Sequence, residues 1–318
     1  MKIVATGYMV RYPLAGMMLA FLHYVLGLQR MGHEVVWVEE SGWDDSCYDP
    51  GTGLHGSDPT AGIQAVQDMV SRFGFRLPVC YVDRQSGAVS GMSRQQLLAH
   101  LSSADLLLNI GGTCALPEFE RCRRKVLIDM DPMFTQAGRF AVDDLPEYDA
   151  YFTYGTNIGR PGCSIPEAGV RWTATVPPVV TDLWADWADT PPSVGSTMTT
   201  VCNWSAYGGI DYEGAHYGQK DEEFMRLLDL PKRSPETLEL AISGADEATR
   251  SCLTDAGWRL REAEAVTADF DAYAGYIGDS RGEFSVAKNV FVATNNGCFM
   301  DRGGHYLATG RPVVQQDT

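Results

Sequence analysis

Apolar positions along this chain cluster into short runs instead of alternating with polar ones. Lys2–Thr6 (KIVAT), His33–Glu39 (HEVVWVE), Asp105–Ile110 (DLLLNI), Lys125–Met130 (KVLIDM), Thr197–Asn203 (TMTTVCN) and Leu238–Ser243 (LELAIS) are rich in β-branched and aliphatic side chains. Such runs predict strands buried on both faces, as in a parallel sheet. Between them lie longer helical stretches: Met17–Arg30, Thr60–Phe73, Ser93–Ser102, Asp246–Asp255 and Phe270–Ile277. The first three segments, Lys2–Thr6, Met17–Arg30 and His33–Glu39, read as a βαβ unit. Further short strands are predicted at Val79–Val82, Tyr151–Tyr154, Arg171–Thr175 and Trp258–Arg261. Glu118–Arg124 reads as a short helix or turn, and Glu222–Leu228 as a helix.

The last stretch, Gly282–Thr318, has the densest local signals. Asn289–Thr294 (NVFVAT) reads as a buried strand, and Asn295-Asn296-Gly297 as a turn tolerant of left-handed backbone. Asp301 is placed as the N-cap of a helix from Arg302 to Thr309 that stops at Gly310, before a strand at Val313-Val314. A Gly/Asn loop feeding a helix start at the carboxyl end of a strand offers free N–H groups and the positive end of the helix dipole to an anion. Arg302 adds a cation of fork geometry suited to phosphate.

Composition narrows the function classes. The 318 residues are 45% hydrophobic, enough for two packed domains. They divide as 1–180, a Pro-rich crossing at 181–195, and 196–318. The net charge of −16 argues against general nucleic-acid binding, which needs a basic face. No apolar run approaches the roughly 20 residues of a membrane span, and Met1–Gly7 reads as a strand and not as a signal peptide, so a cytoplasmic location is expected. Eight scattered cysteines without a CxxC pair read as buried thiols. Gly7 and Gly16 are too far apart for a dinucleotide fingerprint. Asp129-Met130-Asp131 spells D-x-D, which permits a metal pair, but Asp131 precedes Pro132 and fits a turn cap or a general base better. Ser41–Pro59 is a long aperiodic stretch, a length usual for functional loops.

The stretch from Ser280 to Asp317 resembles the C-terminal domain of GT-B glycosyltransferases, and in particular a bacterial group with the pattern S-R-G-E-F-S-x-A-K, then D-R, then G-R-P-V-V-x-Q-D-T. Ser280, Arg281, Glu283, Phe284, Ser285, Ala287, Lys288, Asp301, Arg302, Gly310, Arg311, Pro312, Gln316 and Asp317 carry the match. Cys298 and Met300 stand where that group has Trp and Ser. The segment Asn203–Phe224 resembles the same group. The resemblance implies an α/β protein of two Rossmann-like domains facing a cleft, with closing C-terminal helices missing from this chain. It implies transfer of a sugar from a nucleoside-diphosphate donor, as co-substrate, to a hydroxyl acceptor, with neither a metal nor another cofactor. Trp204, Gln219, Lys220, Arg281, Glu283, Lys288, Gly297, Asp301, Arg302, His305 and Asp317 then fall on the donor side. Gly7 falls in the loop facing the acceptor, and Asp131 is the candidate base. Lys220 also reads as a solvated first-turn lysine, and His305 as a helix-surface histidine. The glutamates that flank this helix start in many retaining members have no acidic counterpart near Gly297 or at His305, so the stereochemistry stays open. Two alternatives remain: a metal-dependent transferase using Asp129 and Asp131, and a non-catalytic nucleotide- or carbohydrate-binding protein of the same fold.

Overall fold

The computed structural model describes residues 1–139, 147–193, 195 and 197–318. The chain divides into two compact units. The first comprises Met1–Asp131, Pro146–Tyr154 and Val170–Val180; the second comprises Pro132–Leu145, Gly155–Gly169 and Thr181–Thr318.

In chain order the first unit contains β1 (Lys2–Thr6), α1 (Ala15–Arg30), β2 (Glu34–Ser41), β3 (Cys47–Asp49), β4 (Leu54–Gly56), α2 (Thr60–Arg72), β5 (Val79–Asp83), β6 (Val89–Ser90), α3 (Arg94–Ser103), β7 (Leu106–Ile110), β8 (Lys125–Asp129), β9 (Ala150–Thr153) and β10 (Trp172–Ala174). Its sheet has the order β10-β9-β8-β7-β1-β2-β5-β6, with only β6 antiparallel to its neighbour. The apolar runs become strands because helices cover the sheet. Val4, Val36, Val38, Val82 and Leu107 pack against Leu97 and Leu101 of α3 and against Phe119. Helix α1 buries Leu19, Phe21, Leu22, Val25 and Leu26. Helix α3 starts on a capping box, Ser93 accepting from the Gln96 N–H while Gln96 reaches back to the Ser93 N–H. Strand β1 pairs with β2 on one side and β7 on the other. The winding therefore reverses at β1, and the loops that follow β1 and β7 flank the reversal, where open α/β sheets take ligands.

The second unit contains α4 (Ala185–Ala188), β11 (Met198–Asn203), the hairpin β12 (Ile210–Tyr212) and β13 (Ala215–Tyr217), α5 (Lys220–Arg226), α6 (Leu230–Arg233), β14 (Leu238–Ser243), α7 (Glu247–Asp255), β15 (Arg259–Glu262), α8 (Ala263–Thr267), α9 (Phe270–Asp279), β16 (Gly282–Ser285), α10 (Asn289–Thr294), α11 (Asp301–Ala308) and β17 (Val313–Gln315). Its sheet is wholly parallel, in the order β15-β14-β11-β16-β17. Leu238, Leu240, Ile242, Leu253, Trp258 and Phe284 form the core with Phe224 of α5.

Two elements differ from the sequence expectation. Asn289–Thr294 is the helix α10 and not a strand. The strand slot beside β11 is taken by Gly282–Ser285, which pairs with β11 and β17. Packing then overrides the β-preference of Val290 and Val292, since a short buried apolar run suits either state. The Thr294 hydroxyl donates to Val290 O at 2.7 Å, and Asn295 closes the helix at φ +50. Asp301 is not the N-cap. Met300 holds that place without a side-chain acceptor, and Asp301 is the first helical residue.

Candidate functional site

In the second unit the winding reverses between β14 and β16 around β11. The loop after β11 leads to α5, the loop after β16 leads to α10, and α11 begins beside the ends of both strands. Arg302, in the first turn of α11, lies only 9% exposed. Its Nε donates to Glu283 Oε1 at 2.6 Å, its Nη1 to Val201 O at 2.6 Å and its Nη2 to Ser285 Oγ at 3.2 Å. Every guanidinium nitrogen therefore serves the fold, tying α11 to β11 and β16. Burial is the largest influence and works against its charge, but the fully buried Glu283, together with Tyr273, Cys202 and Tyr306, outweighs it and lifts the Arg302 pKa above its ordinary value. Arg302 and Glu283 are thus a structural ion pair; Arg302 keeps no nitrogen free for a donor, and Glu283 Oε2 is buried without a hydrogen-bond partner among the described residues. The fixed charge of Arg302 still acts on its surroundings.

Lys220 is the other buried cation here. It opens α5 at 7% exposure. Among the described residues its ammonium has no hydrogen-bonded or ion-paired partner. Burial and the Arg302 charge lower its pKa to about 8, Lys288 adding to the fall while Cys202 and Glu283 oppose it. A buried charge without a partner is costly, so this amine is poised to gain an anion. The loop is fixed from behind. Asn289 Oδ1 accepts from the Gly218 N–H at 2.9 Å, and Asn289 Nδ2 donates to Glu223 Oε1 at 2.8 Å. Glu223 Oε2 takes Gln316 Nε2 at 2.7 Å. Gln219 is buried, with Nε2 donating to Gly208 O at 2.7 Å, and its own carbonyl receives the Asn289 N–H. Sequence reasoning missed this clamp; its one trace is a polar residue, Asn289, leading an otherwise apolar run.

Lys288 lies close enough to couple electrostatically to Lys220. Its Nζ is 4.7, 5.0 and 5.4 Å from the rings of Tyr207, Phe134 and Phe291, and it donates to the Tyr207 hydroxyl. Cation–π contacts of this kind hold a lysine in place. Asp301 is half-buried at the start of α11. Asp317 is exposed beyond β17, and its Oδ1 accepts from the Thr318 N–H at 3.1 Å.

The other donor-side expectations fall elsewhere. Arg281 is exposed at the amino end of β16, the opposite edge of the sheet, 3.2 Å from Glu236. Trp204 is in the core, stacked on Phe224 with ring centres 5.4 Å apart. His305 is neither on the helix surface nor open to a ribose. It is buried, stacked on Trp184 at 4.9 Å, and Nδ1 lies 3.1 Å from the Tyr273 hydroxyl. Burial, helped by Arg302, lowers its pKa to about 3, so it is neutral under ordinary conditions.

Gly297 does not open its N–H to a phosphate. That group donates to Thr318 O at 2.9 Å, and its carbonyl accepts from Thr156 Oγ1 at 2.8 Å. With φ at +73 and a Cβ that would stand 2.5 Å from Thr156 Oγ1, the position accepts only glycine without strain. Gly297→Ala is expected to cost about 1–3 kcal/mol, visible as a lower midpoint in denaturant unfolding with an unchanged slope.

In the first unit Gly7 directly follows β1, against Phe21 and Trp37, and its carbonyl accepts from Cys114 Sγ at 3.1 Å. Asp131 stands just past β8, at the carboxyl edge of the sheet, half-buried. Asp129 is fully buried. It accepts from Thr153 Oγ1 at 2.6 Å and from the Asp131 N–H at 2.9 Å. The first Asp of the D-x-D is thus turned into the sheet, and only the second lies near its edge. Among the described residues no group of three His, Cys, Asp or Glu side chains is arranged to hold a metal. Among the same residues, no helix is long and apolar enough to cross a membrane.

No protein-family model matches the chain, and no curated protein matches it in sequence. Solved structures do resemble it. One is an α-glucosyltransferase in complex with UDP and a 13-mer DNA containing a central A:G mismatch, at TM-score 0.56 and 8% identity over 98% of this chain and 78% of that one. Another is the α-glucosyltransferase AGT in complex with UDP, at TM-score 0.52 and 8% identity over 98% of this chain and 79% of that one. At this identity the likeness speaks to the fold. The protein is an α/β chain with large parallel sheets, and its fold matches that of GT-B glycosyltransferases.

Proposed function

We propose that the protein is a glycosyltransferase that moves a sugar from a nucleoside-diphosphate donor to a hydroxyl acceptor. One observation carries this reading: a lysine at 7% exposure, without a partner among the described residues, at the winding reversal of the second sheet. A diphosphate is the kind of ligand that repays such burial. UDP is the nucleotide to test first, because the structurally similar α-glucosyltransferases were solved with it.

In transfer, the bond from the anomeric carbon to the diphosphate oxygen breaks, and a bond to the acceptor oxygen forms. The leaving diphosphate gains charge. Lys220 offers it an ammonium, α11 offers first-turn N–H groups, and Arg302 contributes a fixed positive field. Lys288 is a further cation near Lys220. The acceptor hydroxyl loses its proton to a base, for which Asp131 is the candidate. These groups would make the reaction metal-independent. The inward carboxylate of Asp129 also supports that reading over a metal pair with Asp131.

The test is a thermal-shift panel with UDP, dTDP and GDP and their glucose conjugates, followed by a turnover assay with and without EDTA. At least one nucleotide is expected to raise the melting temperature of the wild type and not of Lys220→Met, with turnover unchanged by EDTA. No shift with any nucleotide overturns the donor assignment. A Lys220-dependent shift with no turnover favours a binding protein of the same fold, and loss of turnover in EDTA favours a metal-dependent transferase.

A further inference from the structure

Trp43 follows β2 in the first unit and is 51% exposed, yet both its ring and its backbone have specific partners. The Arg11 guanidinium lies over its ring, 5.1 Å from the centre, and 5.9 Å from the ring centre of Tyr8. Arg11 is itself 2% exposed and donates from Nε to Glu39 Oε1 at 3.2 Å. Glu39 is fully buried and also accepts from the N–H groups of Val10 and Arg11 and from Trp37 Nε1. The Trp43 backbone is pinned as well: its N–H donates to Ser41 Oγ at 3.2 Å, and that hydroxyl donates to its carbonyl at 2.9 Å. A buried ion pair thus backs one face of an indole whose remaining surface meets water. A solvated surface tryptophan needs no such support, whereas a stacking platform gains from it, because a ring ordered beforehand loses little entropy on binding.

The charge around the platform limits what can stack there. Residues 42–59 contain Asp44, Asp45, Asp49 and Asp58 and no Lys or Arg. The nearby Arg84, which lies against Gly42, is paired with Glu40 at 2.8 Å. Arg11 is committed to Glu39. A polyphosphate strand would meet carboxylates here and no uncommitted cation among these residues, against the requirement for nucleic-acid binding. A pyranose fits instead. Its C–H face stacks on an indole, and its hydroxyls donate to carboxylates.

We propose that this loop face of the first unit binds a neutral sugar or glycan, stacked on Trp43. Its role as the acceptor site rests on the transferase reading above, but the binding itself does not. The experiment is titration of the nucleotide-free protein with neutral disaccharides (maltose, cellobiose, chitobiose) and, separately, with a 13-base DNA duplex, followed by calorimetry. At least one disaccharide is expected to bind, with affinity at least tenfold weaker in Trp43→Ala and within about threefold in Trp43→Phe, where a ring is kept. Both variants should melt near the wild type, because the side chain is half in water. Three outcomes overturn the proposal: no disaccharide binds, Trp43→Ala leaves binding intact, or the DNA duplex binds in a Trp43-dependent way. The UDP response of Trp43→Ala keeps the two readings apart. It should match the wild type, and a wild type that binds disaccharide but no nucleotide would sink the donor assignment alone.

Discussion

Lys220→Met is expected to abolish nucleotide binding and, at pH 7, to make the ligand-free protein more stable. The two effects have one source. Lys220 has its pKa lowered from 10.5 to about 8, first by burial and then by Arg302. The gap corresponds to about 3 kcal/mol of penalty on the charged form at about 1.36 kcal/mol per unit. The sign follows from proton counting. With the folded value below the unfolded one, the unfolded chain holds more protons between about pH 8 and 10.5. Stability from this group therefore rises with pH across that window, and the full penalty is present below it. Methionine removes the penalty at similar volume. The expected gain is up to about 3 kcal/mol at pH 7, shrinking toward pH 10, read from denaturant midpoints at both pH values. A ligand-free Lys220→Met that is less stable than wild type would mean that the ammonium already has a partner.

Binding has the opposite dependence. A diphosphate engages the protonated amine, so its affinity should be level below about pH 8 and fall about tenfold per unit above it. UDP titrations of the wild type at pH 7, 8, 9 and 10 test this. Lys220→Arg, which stays charged throughout, should show no such fall. A flat wild-type profile would remove Lys220 from the site.

Much of the sheet architecture was legible because parallel strands buried on both faces need uninterrupted apolar runs, and Leu106–Ile110 and Leu238–Ser243 have little else they can be. The same property misleads at Asn289–Thr294, where a buried apolar run of six residues serves a helix once Gly282–Ser285 has filled the strand position. Around α11 the pattern fails for a different reason. Arg302, His305, Tyr306 and Thr309 occupy one helical stripe and are all buried, so the inward face is mostly polar. Hydropathy then points the wrong face inward, and a buried arginine and histidine read as ligand groups. Lys220 was visible as a candidate, but not its isolation from partners. That depends on Asn289, distant in sequence and itself held by Glu223 of α5, clamping Gly218 and fixing where α5 begins.

The Arg302–Glu283 pair separates a structural cation from a binding one. Arg302→Ala would leave the Glu283 carboxylate fully buried without its counter-ion and strip a donor from Val201 O and from Ser285 Oγ. Breaking a buried pair from one side costs about 3–5 kcal/mol, so Arg302→Ala should unfold at a markedly lower denaturant concentration than wild type. Arg302→Met with Glu283→Leu removes both charges and should recover most of that loss, a coupling that a double-mutant cycle reads directly. If Arg302 instead acted mainly through a bound phosphate, the ligand-free single variant would melt near wild type and lose only its UDP response. The ordering expected from the geometry is Lys220→Met above wild type and Arg302→Ala well below it, with the double variant returning toward wild type. Both single variants would lose UDP binding, Lys220→Met by losing the cation and Arg302→Ala by loosening α11 beside it.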